Sequence, residues 1–413
     1  MDHWASDRCR RHYAGTMQTT PEDSGLAPSG LDRARAYVAG CVERGEIAGA
    51  VSLVARHDEV AQPACVGLRD IEAAKPMEPD TIFRLASMTK PIVSVGALML
   101  VEAGRLRLDD PLARYIPDFA DILVFAGVED GRVKLAALER PITIHHLLTH
   151  MSGLAGDAPH PELEASYDSL GDEDYALPEL MRRLAARPLA HQPGRGWTYG
   201  WSHHVLGRII EVAADRPLDD YLESEIFRPL GMVDTGFYVP PKKIDRLAAV
   251  YESKDGRLHR VDTPWANRFA GRPILLGGGG GLVSTAPDYF RFTQMLEGRG
   301  ELGGARLLKP ETVELMTRNQ LPAPLYPLDF GDHVSEGEGY GLGFGVVVEE
   351  TATGLAGPEG TFGWSGAWLT HFWIDPVNQV TGIFMVQSEP FTFDSVGVKF
   401  RSLVYEALAS GRG

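Results

Sequence analysis

The chain has 413 residues, 44% hydrophobic and 23% charged, which is ordinary globular usage and excludes a largely disordered, collagen-like or coiled-coil polypeptide. With 40 Lys and Arg against 56 Asp and Glu, its formal charge is −16. A chain this acidic is a poor nucleic-acid binder, because that affinity comes mostly from neutralised phosphates, and no apolar run reaches the ~18 residues a membrane span needs.

Residues 1–28 read as a flexible leader. Arg8, Arg10 and Arg11 are followed by no apolar core, so the reading is a cytoplasmic chain without a secretory signal. Cys9, Cys41 and Cys65 are too few and too scattered for a disulfide framework or a zinc site, which fits a reducing compartment.

Apolar positions at helical spacing predict a helix over 31–45, and AGAVSLVAR (48–56) predicts a strand, with a second near 61–68. From Ser87 to Glu102 a helix apolar nearly all round is expected to lie inside and to end at Gly104. Asp109-Asp110-Pro111 marks a turn. The region from about 105 to 275 reads as helix-rich: TIHHLLTHMSG starts at a Thr143 cap and stops at Gly153, and HVLGRIIEVAAD and PLDDYLESEIF follow as amphipathic helices. The stretches 155–175 and 238–270 read as irregular loop. Beyond 275 come five glycines, Gly277 to Gly281, and a helix start at Thr285. Strands follow at 341–350, 369–375 and 379–388, the last two joined at Pro376-Val377-Asn378, and a final helix spans about 394–410. Short strand-to-strand links predict an antiparallel sheet. The expected fold is α/β (α+β): residues 29–105 and 275–413 form a sheet flanked by N- and C-terminal helices, and 106–274 form an inserted, mainly helical domain. The cleft between them is the default site.

Three segments could carry chemistry. Ser87 and Lys90, three apart at a helix start, share one face. A serine hydroxyl needs a base, and a lysine serves as one only when neutral, which burial favours; the helix N-terminus adds N–H donors for an oxyanion. Taken alone, S-x-x-K is a weak signal and reads first as a capping serine beside a solvated lysine. Tyr199, after Gly194 and Gly196 in GRGWTYGWSHHVLG, could project into a cleft and carry a proton; alone, it reads first as a packed aromatic. Trp364-Ser365-Gly366-Ala367 sits at the head of a strand, where small residues admit a substrate and the Ala367 N–H could be a second oxyanion donor; alone, such glycines mean turns.

Together and in this order, these segments resemble the serine β-lactamase/penicillin-binding-protein superfamily, on its class C-like and esterase side. The resemblance runs from about 30 to 410 and includes FRLASMTKP (83–91), LLTHMSGL (147–154), FRPLGMVDTGF (227–237) and GGGLVSTAPDY (279–289). It implies Ser87 as acylated nucleophile, Lys90 as activator and Tyr199 as third catalytic member. Two departures stand out. Trp201 replaces the Asn of the family's Tyr-x-Asn, and Trp364 replaces the Lys of its Lys-Thr-Gly. The cation that meets a β-lactam or D-peptide carboxylate is missing, and an indole favours a neutral group. The pattern is similar to the family VIII bacterial carboxylesterases and to acyltransferases of the same fold. The expectation is therefore a serine hydrolase of small carboxylic esters, with β-lactamase, D-peptidase or amide hydrolase, and acyltransferase as alternatives. It needs no cofactor or metal, and expects neither nucleic acid nor membrane as a partner. Oligomeric state and natural substrate are not encoded in these patterns.

Other features compete. Gly363-Trp364-Ser365-Gly366-Ala367 imitates a nucleophile elbow, but an elbow needs strand, turn and helix, and AWLTHFWID reads as strand, so Ser365 is expected to hydrogen-bond substrate instead. His145, His146 and His150 lack the glutamate of H-E-x-x-H and read as capping and packing. His203 and His204 could line the cleft or merely start a helix. The glycine run lacks a P-loop Lys-Ser/Thr and is expected to let backbone pass close to substrate or to the Ser87 helix. Asp172-Glu173-Asp174 reads as solvated loop.

Overall fold

The computed structural model describes residues 19–167, 170, 175–261, 267–351, 355–389 and 396–410. The acidic run 172–174 and Cys9 lie outside them. An eight-stranded sheet organises the chain. In sequence order its strands are β1 (Gly49–Arg56), β2 (Glu59–Asp70), β3 (Lys75–Pro76), β4 (Glu338–Tyr340), β5 (Gly345–Val347), β6 (Phe362–Gly366), β7 (Thr370–Asp375) and β8 (Val380–Met385). In space they run β4-β5-β6-β7-β8-β1-β2-β3, every pair antiparallel. The two ends of the chain thus share one sheet, joined where Val51 faces Met385.

Both faces of this sheet are covered, so its strands are apolar on both sides and the period of two sorts residues between two cores. Val51, Leu53, Phe372, Ile374, Ile383 and Met385 turn to one core, with α2 (Thr89–Glu102) and α4 (Ala286–Glu297). Ala50, Val54, Trp373 and Phe384 turn to the other, with the terminal helices α1 (Pro28–Glu43) and α5 (Val396–Ser410). The two terminal helices cross closely: a Cβ on Gly30 would lie 2.4 Å from the Ala407 side chain. Residues 19–27 lie along the body, where the Thr19 N–H meets the Val60 carbonyl and Leu26 is buried.

α2 is buried nearly all round, as its composition predicts, and packs on α3 (Ser202–Ala214); the chain leaves α2 at Gly104 with φ +69°. Thr143 and Thr285 both cap their helices through their side chains, on the N–H groups of His146 and Asp288.

The structure corrects several boundaries. The helix after Thr143 covers only Ile144–Leu148; Thr149 bonds back to the His145 carbonyl, and His150 takes φ +57°. The helix-rich middle also carries two hairpins, Val124–Glu129 with Arg132–Ala136, and Tyr251–Lys254 with Arg257–Arg260. The second falls inside a stretch expected to be loop. Tight turns at Gly131 and Gly256, both with φ near +70°, close these hairpins, where apolar alternation is too short to register. The strand expected over 341–350 is instead two short strands, β4 and β5, with Gly343 at φ +96° between them. Cys65 is disulfide-bonded while Cys41 is free and buried, so the argument for a reducing compartment from three free thiols does not hold. Among the described residues no helix is long and apolar enough to cross a membrane.

One packing detail is testable. Glu297, at the end of α4, is half-buried with its carboxyl turned inward beside β8, and it accepts a hydrogen bond from the Thr381 hydroxyl at 2.5 Å. Burial, then the nearby Asp58 charge, pushes its carboxyl up to about 8. The folded state therefore holds a proton that the unfolded chain releases near pH 4.3. Stability from this group is complete below that pH and is lost as pH rises towards 8. Glu297→Gln is expected to flatten this slope, so that the variant gains about 1–2 °C of Tm on wild type at pH 8 relative to pH 5, roughly the scale of a 1–2 kcal/mol change in a protein of this size. Parallel melting curves at both pH values would refute the assignment.

Candidate active site

Ser87 sits in a single 3-10 turn, Ala86–Met88, that runs directly into α2. The turn is fixed from two sides. Phe83 and Arg84 pair with Val283 and Ser284, and the Leu85 N–H donates to the Leu282 carbonyl. Ala86 enters with φ +45°, a strained value for a residue with a Cβ. The glycine run lies against this turn, as expected from its lack of side chains. Lys90, 4% exposed, extends its Nζ to 3.0 Å from the Ser87 Oγ and 2.6 Å from the Gly279 carbonyl oxygen.

Tyr199 comes from the middle of the chain. Lys90 Nζ lies 4.6 Å from the centre of its ring, a cation–π distance. Its segment is stitched to 150–156: the Thr198 N–H donates to the His150 carbonyl, Gly156 N–H to the Tyr199 carbonyl, and Trp201 N–H to the Leu154 carbonyl. Gly200 is required at this crossing, because a Cβ there would lie 2.4 Å from the Leu154 oxygen. Trp364, on β6, donates from its indole N–H to the Tyr199 hydroxyl at 3.2 Å. The structure thus brings Ser87, Lys90, Tyr199 and Trp364 together.

The other sequence candidates surround them. Gly366 presses on the Ser87 turn: a Cβ on it would lie 2.2 Å from the Leu85 carbonyl, which also accepts from the Thr370 hydroxyl. Ala367 follows, exposed in the cleft that Ser87 lines. Trp201 packs its ring 4.9 Å from that of His204, and both face the cleft. Ser365 also lines the cleft, and its Oγ lies 2.8 Å from Nδ1 of His371 on β7. That segment is strand, turn and strand, so the elbow geometry is absent. Burial pushes His371 down to about 4, leaving a neutral imidazole to orient the Ser365 hydroxyl.

The cleft has a volume of about 1080 Å³. Trp197, Phe330, Trp364 and Tyr199 form an aromatic wall, with the Trp197 and Phe330 rings 5.0 Å apart and nearly perpendicular. Trp197 could have been found in the sequence, since Trp197, Tyr199 and Trp201 alternate; Phe330 and His371 carry no local signal. Burial, with Lys90 adding to it, holds the cleft-facing His204 down to about 3, and His150 and His203 well below their ordinary value, so all three are neutral. His146 closes the capping box at Thr143, and its Nδ1 accepts the Thr143 N–H. Among the described residues no group of three His, Cys, Asp or Glu side chains could hold a metal ion.

Residues 34–403 match the sequence profile of the Beta-lactamase family. The chain belongs to that family. Protein Rv1367c of Mycobacterium tuberculosis is 36% identical over 371 residues, covering 87% of this chain and 90% of its own. Esterase EstB of Burkholderia gladioli is 34% identical, with 80% and 83% covered. Among solved structures, EstCE1, described as a hydrolase with promiscuous acyltransferase activity, superposes with a TM-score of 0.78 at 26% identity, covering 92% of this chain and 98% of its own. The fold is the β-lactamase/transpeptidase-like one expected from the sequence, within a family that contains esterases.

The contact at Gly366 yields a prediction. Gly366→Ala forces β6 away from the Leu85 carbonyl, at a cost of about 1–3 kcal/mol for overpacking. A lowered Tm is expected, together with slower labelling of Ser87 by a fluorophosphonate. Labelling at the wild-type rate would show that the position of β6 is immaterial to the serine.

Proposed function

We propose that this protein is a serine carboxylesterase that acts on small, uncharged esters through an acyl-enzyme on Ser87. The observation that carries the reading is Lys90 Nζ, buried at 3.0 Å from the Ser87 Oγ and 4.6 Å from the Tyr199 ring. The Lys90–Tyr199 pair takes the Ser87 proton as Oγ attacks the ester carbonyl. The N–H groups of Ser87 and Ala367 receive the oxyanion, at about 3 kcal/mol per donor. The carbon–alkoxy bond then breaks, and Tyr199 returns the proton to the leaving alcohol. Water adds to the acyl-enzyme with the same pair as base, and the acid leaves. Ser365, oriented by His371, hydrogen-bonds the bound substrate beside the oxyanion site.

The wall supports an ester over a β-lactam. Trp364 offers an apolar face and spends its one N–H on Tyr199, so no cation meets a substrate carboxylate at that position. A second reading, acyl transfer to an alcohol, draws on the aromatic wall, which suits an organic acceptor better than water, and on the promiscuous acyltransferase activity of EstCE1.

The test is hydrolysis of p-nitrophenyl butyrate, with nitrocefin alongside. Ester turnover is expected to vanish in Ser87→Ala and to fall about 10²–10⁴-fold in Tyr199→Phe, the range for loss of a general acid–base group. Nitrocefin is expected to turn over slowly. Ester turnover that survives Ser87→Ala would overturn the assignment, and nitrocefin as the better substrate would overturn the reading of Trp364. Addition of an alcohol separates the second reading, which predicts the exchanged ester as product.

A further inference from the structure

His150 is fully buried, and both of its ring nitrogens lack a hydrogen-bond partner among the described residues. Its backbone holds φ +57°. Each buried, unpartnered nitrogen carries its full desolvation penalty, and an apolar side chain of similar size would avoid it. Packing alone therefore does not explain a histidine here. Its position suggests what does. The His150 ring lies 4.7 Å from the Tyr199 ring, 4.8 Å from that of His203 and 5.4 Å from that of Tyr340. Its carbonyl accepts the Thr198 N–H, one residue before Tyr199. Main chain and side chain of one residue thus set both the height and the tilt of the phenol.

We propose that His150 is the positioning residue of Tyr199, seating the phenol ring and presenting to it an uncharged polar wall that eases proton exchange with Lys90. This rests on the role of Tyr199 given above. The groups facing His150 are Lys90 from α2, Tyr199 from its loop, His203 from α3 and Tyr340 from β4. Lys90 and burial together keep the imidazole neutral. Its dipole is then present at every working pH, without a positive charge to compete with the ammonium. A hydrocarbon wall in its place would disfavour the phenolate character that Tyr199 acquires when the pair holds a single proton.

The experiment is the pH profile of kcat/KM for p-nitrophenyl butyrate in His150→Phe and His150→Met, which keep bulk and lose the nitrogens, and in His150→Asn, which keeps a polar group and suits a positive φ. In the first two the acidic limb is expected to move up by about one pH unit, a tenfold loss of rate below the limb, with KM little changed. In His150→Asn the limb is expected to stay near that of wild type. The Met variant is read in the same way if the Phe variant does not fold. An acidic limb that coincides with wild type in Phe or Met, in an enzyme whose turnover is abolished by Ser87→Ala, would overturn this role alone. Turnover independent of Ser87 would instead overturn the underlying function.

Discussion

The amine of Lys90 is the constraint around which the site is built. It is buried, and among the described residues no carboxylate pairs with it. A buried charge without a counter-charge costs several kcal/mol, so the interior must supply dipoles in its place. It does so from three directions: a hydroxyl at Ser87, a main-chain carbonyl at Gly279 and the face of a phenol at Tyr199. A carboxylate partner would pin the proton on the lysine. Dipoles hold the amine in place without pinning a proton on it. The glycine run follows from this arrangement, because its turn brings no side chains between the Gly279 carbonyl and the amine 2.6 Å away.

The same preference for dipoles over charges extends to the surroundings of Tyr199. His150, His203 and His204 are neutral because burial makes them so, and the polar tip of Trp364 is committed to Tyr199. The neutrality is local to these rings, because Asp157, Asp329, Asp332, Glu338 and Arg401 also line the cleft.

How much of this was legible in the sequence depends on the length of each signal. α2 declared itself because a 14-residue helix apolar on every side can only be interior, and the Thr143 and Thr285 caps declared themselves because a cap is a local hydrogen bond. Ser87, Lys90 and Tyr199 were named from short patterns and an ordered resemblance, and the fold brings them into contact. The two middle hairpins escaped because each strand is at most six residues, too short for its period to stand out. Phe330 and His371 escaped for a different reason. Their part in the cleft arises only when β6 and β7 pair and when the loop before β4 folds over Tyr199, and nothing local encodes such contacts. The disulfide at Cys65 escaped because three scattered cysteines give no spacing rule.

The strained residues show how stability and chemistry divide the structure. Ala86 and His150 both hold positive φ, one just before Ser87 and the other beneath Tyr199. Such conformations persist only where the surroundings over-determine them. Around Ala86 the surroundings are the Leu85–Leu282 hydrogen bond, Gly366 against the Leu85 carbonyl, and α2, locked into the core on all sides. Around His150 they are a ring of aromatic side chains and the Thr198 hydrogen bond. The two strained points lie in separate segments, so neither can relax by moving the other. The sheet that joins both ends of the chain fixes the Ser87 side, and α3 fixes the Tyr199 side. The distance between Ser87 and Tyr199 is thereby a property of how α2 and α3 pack, not of any single loop. Chemistry that depends on an ångström-scale gap between two side chains is better served by that packing than by a hinge, and the apolar contacts between these two helices are the part of the core that the site depends on most directly.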